Sequence, residues 1–230
     1  MKRKGKLYGV GVGPGDPKLM TFKAVEVIES CSVIAVPKSG EGEQVALAIA
    51  KTYIQMQEVV DCYMPMTRDK EVLYHNHEVV ARKLEAYLDE GKNVAFLTLG
   101  DPTIYSTYMY IHRRIEKLGY ETEIIPGISS ICSVAAALND SLCEGSECLH
   151  IIPASYKGKE DYLNLEGTKV LMKTGKSMEQ LKVHLKEKGL YEKARAVECA
   201  SMPNQKIHKS LDTLEESSYF SVVVVKEEKA

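Results

Sequence analysis

The sequence predicts an α/β protein of two domains, the first on a mainly parallel sheet and the second on a mixed sheet. Three observations carry this. Over the first half, short β-rich apolar runs alternate with amphipathic helical stretches, the pattern of a parallel sheet covered on both faces. At 230 residues the chain is long enough for one large or two small domains. Near the end, strands follow one another with only short connections, which implies antiparallel pairing. The joint is expected at residues 113–122, dividing the chain into 1–117 and 118–230.

Each element has its own signal. Leu7–Val12 reads as a strand. Pro17 sits where a helix can start, and Leu19, Met20, Ala24, Val25, Val27 and Ile28 recur at helical spacing. Ser32–Val36 is a short buried strand, Val45–Tyr53 a helix and Glu58–Cys62 a weaker strand. From Asp69 to Glu90 the set Leu73, Val80, Leu84, Tyr87 and Leu88 marks one helix face, and Gly91 stops it. Asn93–Leu97 is extended, and Thr103–Leu118 is a helix closed by Gly119. Strands at Glu121–Ile125, Leu149–Ile152, Thr168–Met172 and Ala194–Val197 enclose helices at Ser129–Leu138 and Ser177–Lys188. Lys206–Ser210 and Ser221–Lys226 read as strands with a short helical turn between, and the charged tail Lys226–Lys229 is expected to fray.

Composition narrows the function. The chain carries 30 basic and 32 acidic residues, a net charge of −2, which argues against a broad nucleic-acid footprint. No run approaches the ~18 apolar residues of a membrane span. The basic start MKRKGK is followed by a short apolar stretch broken by Gly and Pro, so it reads as the first strand and loop, not as a secretion signal. Six cysteines without a CxxC spacing read as reduced, mostly structural thiols of a cytoplasmic protein.

Three loops stand out: GVGVGPGDP (Gly9 to Pro17), LTLGDPTIYS (Leu97 to Ser106) and PGISS (Pro126 to Ser130). Each follows an apolar extended run, so each is placed at the carboxyl end of a strand, where α/β sheets bind ligands. Together they suggest one composite pocket. Strict GxGxxG spacing fails: the sixth position is Pro14 counted from Gly9 and Asp16 counted from Gly11, which disfavours a nicotinamide dinucleotide. TGKS (Thr174 to Ser177) lacks the earlier glycine of a phosphate loop, because Val170 stands there, and Lys176 reads as solvated. His75 and His77 cannot share a helix face and read as solvated, and the other histidines lack partners at a ligand spacing, so no metal site is expected. Ser129 and Ser130 lack a GxSxG elbow and suit a helix start. Asp101, between Gly100 and Pro102, is either a turn-forming residue or a carboxylate at the rim of a cleft, bonding hydroxyls or an ammonium.

The order GVGPGDP, LGDPTIYS, PGISS and a late strand pair resembles the tetrapyrrole methylase family over nearly the whole chain. The strings VIAVPKSGEG, LGDPTIYSTYMYI, EIIPGISSICSVAAAL, VLMKTGKS and YFSVVVVK look most like its members that methylate the C20 meso carbon of precorrin-2 or of its cobalt complex. Other acceptors within the family are another corrin carbon, uroporphyrinogen III, diphthamide or ribosomal RNA. A binding protein without turnover is the rival from a different class.

The resemblance implies two α/β domains with S-adenosyl-L-methionine in a cleft between them, a tetrapyrrole substrate and a homodimer. Carried over by motif, Pro14, Leu99, Gly100, Asp101, Ile104, Ser129, Ser130 and Ala200 would hold the cofactor. Thr174 falls where relatives carry an apolar contact to the adenosine, a departure from the pattern. The donor brings its own leaving group, so the protein's tasks are orientation and a dry site, and no base is assigned. A carboxylate-rich substrate suggests cations in its trough, for which Lys38 and Arg68 are the candidates. Tyr105 and Tyr108 could face the ring.

Overall fold

In the computed structural model, residues 3–40, 44–154, 160–215 and 218–227 are described. The chain forms two compact units, Met1–Ser129 and Ser130–Ala230.

The first unit runs β1 (Leu7–Gly11), α1 (Phe22–Ser30), β2 (Val33–Lys38), α2 (Val45–Ala50), β3 (Glu58–Tyr63), α3 (Lys70–Asp89), β4 (Val94–Thr98), α4 (Tyr108–Lys117) and β5 (Thr122–Ile125). Its five strands are all parallel, in the order β3-β2-β4-β1-β5. Strand alternation explains the two covered faces. Val33, Ala35, Val94 and Phe96 pack under α3 and α4, with Val80, Leu84, Ile111 and Ile115. Ile34, Val36, Ala95 and Leu97 point the other way, onto Ala24, Ile28, Ile49 and Ala50 of α1 and α2.

β5 pairs with β1 in this sheet. The unit therefore extends twelve residues beyond the expected division at 117, because cutting there would strip the sheet of an edge strand.

Several elements differ from expectation for local reasons. Pro17–Leu19 is a separate 3-10 turn capped by Asp16, and α1 starts only after Thr21, whose hydroxyl accepts from the Ala24 amide at 3.1 Å. The expected helix from Thr103 begins at Tyr108, because Tyr105 holds a positive φ of 51° in the loop before it. Tyr108 is a core residue and does not face a ring substrate. It is fully buried beside Phe96, bonds the His112 Nδ1 at 3.1 Å, and lies where a Cβ on Gly9 would meet its ring at 2.0 Å. Gly9 thus exists to make room for Tyr108.

His77 also departs from expectation. His75 is exposed, but His77 is buried between α3 and α4, stacked on Tyr110 with ring centroids 4.9 Å apart.

The second unit runs α5 (Ser130–Leu138), β6 (Leu149–Pro153), β7 (Thr168–Met172), α6 (Met178–Glu187), β8 (Ala194–Glu198), β9 (Lys206–His208) and β10 (Ser221–Val225). Its sheet is mixed, in the order β6-β7-β10-β8-β9, with β6 and β7 parallel and β10 antiparallel to both β7 and β8. Val170, Val197, Val222 and Val224 pack against Ile131 and Val134 of α5. Leu171, Ala196, Val223 and Val225 pack against Leu181 and Leu185 of α6. The tail expected to fray lies partly outside the described residues, at Glu228 and Lys229. Lys226 itself is anchored, its ammonium donating to Asp140 at 2.8 Å and to the Ser141 hydroxyl at 2.7 Å.

His77 carries a pH signature. Its Nε2 is buried without a hydrogen-bond partner. Burial, then the nearby Arg114 guanidinium, holds its pKa below the usual histidine value. The unfolded chain therefore binds this proton at higher pH than the folded one, and stability falls as pH drops through the unfolded value near 6.5. Urea unfolding at pH 7.5 and 5.5 should show a larger loss for the natural protein than for His77→Phe. Equal losses would show that His77 is not the group responsible.

Candidate functional site

The strand order places the first unit's loops. After β1 the chain turns toward β2, and after the adjacent β4 it turns the opposite way, toward β5. Connections leaving neighbouring strands in opposite directions open a crevice at their carboxyl ends, the switch point where doubly wound sheets take ligands. The loops after β1, β4 and β5 are the three glycine-rich motifs, on three adjacent strands.

The loops interlock through main chain. The Gly13 and Gly100 residues form an antiparallel bridge, with the Gly100 amide donating to the Gly13 carbonyl at 2.8 Å. A Cβ on Gly127 would lie 2.2 Å from the Gly100 carbonyl oxygen, and one on Gly11 would lie 2.6 Å from the Gly127 amide nitrogen. Backbone stands against backbone here, so no side chain fits.

Asp101 locks the arrangement. Its Oδ1 accepts from the Thr103 amide at 2.8 Å and from the Thr103 hydroxyl, which closes the turn after β4. Its Oδ2 accepts from the Gly127 amide at 3.0 Å, in the loop after β5. The turn-forming reading is correct, and the carboxylate also clamps two loops that are 26 residues apart in sequence. Around it, Pro14 is buried, Leu99 and Ile104 are half-buried, and Tyr105 is exposed. Ser129 is buried at the end of this unit, and Ser130 opens α5.

Lys38 ends β2 at the same carboxyl edge of the sheet, and Arg68 is exposed in the loop after β3. Both therefore lie on the β2–β3 half, beside the glycine loops along the strand order. The Lys38 ammonium pairs with Asp61 at 2.9 Å. The Gln44 amide at 2.8 Å and then Lys38 hold the Asp61 carboxyl below its ordinary pKa.

In the second unit, Thr174 follows β7 and Ala200 follows β8, so both sit at carboxyl ends of strands. β10 starts between them, since it pairs antiparallel with both. Thr174 is fully buried and its hydroxyl donates to the Ser221 carbonyl at 3.2 Å. That bond explains how a threonine is tolerated where an apolar contact is expected: its polar atom is satisfied within the unit. Ala200 is buried in the core under α5.

Sequence reading missed Gly127 as a site residue, missed Glu198 entirely, and took His208 as one of the histidines without an acidic partner at a ligand spacing. The Glu198 carboxylate, buried at the end of β8, accepts from His208 Nε2 at 3.2 Å. Only strand pairing brings these two together, so no local signal could have found them.

The residues fit S-adenosylmethionine. The crevice edge is bare main chain flanked by uncharged Pro14, Leu99 and Ile104, which suits a nucleoside. A doubly wound parallel unit with its glycine loops at the switch point, followed by a mixed-sheet unit, defines a small-molecule-binding α/β protein.

The chain belongs to the tetrapyrrole (corrin/porphyrin) methylases, whose family model matches residues 6–215. It is 44% identical over 179 residues to the probable cobalt-precorrin-2 C(20)-methyltransferase of Methanocaldococcus jannaschii, covering 77% of this chain and 76% of that protein. It is 31% identical over 231 residues to the cobalt-precorrin-2 C(20)-methyltransferase of Salmonella typhimurium, covering 96% of each. In fold it is similar to the uroporphyrin-III C-methyl transferase of Thermus thermophilus solved with S-adenosylhomocysteine. The TM-score is 0.74 at 18% identity, over 97% of this chain and 98% of that one.

Asp101→Ala leaves the Gly127 and Thr103 amides without their acceptor and should destabilise the protein by roughly 1–3 kcal/mol. Equilibrium urea unfolding measures this. An unchanged midpoint would show that the loops hold together without the carboxylate.

Proposed function

We propose that this protein is an S-adenosylmethionine-dependent C-methyltransferase that methylates C20 of cobalt-bearing precorrin-2 in cobalamin biosynthesis. The observation that carries the acceptor is the 44% identity to the archaeal relative of that name. The donor is supported by the interlocked loops at the switch point and by a fold neighbour solved with the demethylated donor.

S-adenosylmethionine supplies an electrophilic methyl group on sulfonium together with its own leaving group. The chain's residues bind and orient. By motif, Pro14, Leu99, Gly100, Asp101, Ile104 and Ser129 are the first unit's candidates for holding the cofactor, and Ser130, Thr174 and Ala200 are the second unit's candidates. Asp101 acts by fixing the loops, since both its oxygens already accept hydrogen bonds from the protein. Glycine backbone at the contact gives close approach without side-chain freedom to freeze, so the reacting atoms are held at a fixed distance. Lys38 and Arg68, on the β2–β3 half of the same edge, suit the substrate's carboxylates, and the exposed Tyr105 suits its ring.

The protein is read as a cytoplasmic homodimer acting on a small molecule. No helix among the described residues is long and apolar enough to cross a membrane. Burial pushes the Cys31 and Cys62 thiols up to about 12, in keeping with structural, unreactive roles.

Incubation with S-adenosylmethionine and precorrin-2, with and without cobalt, should give one added methyl group by mass spectrometry, at C20 by NMR. Methylation at another carbon, or of another tetrapyrrole only, would move the protein to a different branch of the family. Donor binding with no transfer to any acceptor would favour a binding protein. Sedimentation analysis should give about twice the chain's 25.6 kDa, and a monomer would remove the dimer.

A further inference from the structure

We infer that Glu198 is a positioning residue: by hydrogen bonding Ser218, Ser221 and His208 it fixes the turn Cys199–Ser201 in the shape the cofactor requires. This rests on the reading above, in which Ala200 contacts the adenine.

A carboxylate in an apolar core is unfavourable unless hydrogen bonds serve it. Glu198 is 5% exposed at the end of β8, paired across from Ser221 and on the sheet face that also carries Ala196, Val223 and Val225. Its Oε1 accepts from the Ser218 amide at 2.8 Å and the Ser221 hydroxyl at 3.0 Å, and its Oε2 from His208 Nε2 at 3.2 Å. Burial pushes its pKa up, but the bonds from Ser218, Ser221 and His208 together hold it below the ordinary value. An apolar residue would fill this space without any of these partners, so the carboxylate answers some other need.

The need lies one residue on. Cys199 and Ser201 have φ of 51° and 63°, left-handed backbone that non-glycine residues resist, and Ala200 stands between them. Such backbone persists only where its surroundings over-determine it. The residues flanking Ala200 are tied. The Cys199 amide donates to the Phe220 carbonyl at 3.2 Å, the Met202 amide to the Cys199 carbonyl at 2.9 Å, and the Ser201 amide to Gln205 Oε1 at 2.7 Å. The Ser201 and Ser133 hydroxyls are paired. Glu198 is the anchor on the strand side, joining the end of β8 to β9 through His208 and to the start of β10 through Ser218 and Ser221.

Ser221 extends the effect. Its hydroxyl serves Glu198 while its carbonyl accepts from Thr174. One buried carboxylate therefore sets the places of both second-unit residues assigned to the adenosine.

The test uses the full chain with Glu198→Ala and Glu198→Gln, S-adenosylhomocysteine titrations by calorimetry, and methyl-transfer kinetics. Glutamine keeps a carbonyl oxygen for Ser218 and Ser221, and its amide can face the imidazole in the other tautomer. Glu198→Ala should raise the Kd for S-adenosylhomocysteine and the KM for the donor about tenfold or more, with kcat at saturating donor within about twofold. Glu198→Gln should return both to within about threefold of the natural protein. A merely structural role would lower Tm and kcat through a reduced folded fraction and leave Kd and KM unchanged; that result overturns the inference. If Glu198→Ala does not fold, Ser221→Ala decides. It removes one donor to Glu198 and should raise KM about threefold, and an unchanged KM overturns the inference. Natural protein that does not bind S-adenosylhomocysteine would instead sink the cofactor reading itself.

Discussion

Asp101 and the Gly127 amide form the contact on which the first unit's site depends. Three loops leave three adjacent parallel strands, and nothing in a parallel sheet obliges such loops to touch one another. Here the 3.0 Å bond from Gly127 to Asp101 and the bridge between Gly13 and Gly100 hold them as one surface. The surface requires glycine, because a Cβ on Gly11 or Gly127 would run into the facing main chain of the neighbouring loops. A polar clamp needs bare backbone to reach, and bare backbone needs a clamp to stay ordered, since glycine loses more freedom on folding than any other residue.

The second unit meets the same demand by other means. Its carboxyl edge carries a buried acid-imidazole pair and a threonine bonded to the first residue of β10. Cys199 and Ser201 hold left-handed backbone without glycine, so tertiary hydrogen bonds do there what the missing side chain does in the first unit. In both units the sheet faces are covered by aliphatic side chains, and polar side chains are brought inside chiefly near strand ends. Burying them is unfavourable unless they are paired, so their placement marks where shape matters more than bulk.

Much of this was legible in the sequence. The strands of the first sheet show as apolar runs because both faces are covered. α3 shows because twenty residues carry a clear apolar stripe. The three loops show because glycine and proline cluster at strand ends for a conformational reason. The late strands show mixed pairing because too few residues separate them for a crossover. What stayed hidden depends on pairing between distant parts of the chain. No local pattern says that β4 inserts between β1 and β2, and that insertion creates the switch point. Tyr108 looks like any helical tyrosine until Gly9 is seen beneath its ring. His77 looks solvated until Tyr110 covers it. The boundary between units was misplaced because β5 resembles the start of a new domain, whereas its partner is the first strand of the chain.

The most direct test follows backbone amides by NMR during titration with S-adenosylhomocysteine. The account predicts that Gly11, Gly13, Leu99, Gly100, Thr103 and Gly127 shift together with a single Kd, while the Asp140–Glu147 loop, at the opposite edge of the second sheet, does not move. Shifts in one of the three loops alone, or none in any, would contradict a single clamped surface.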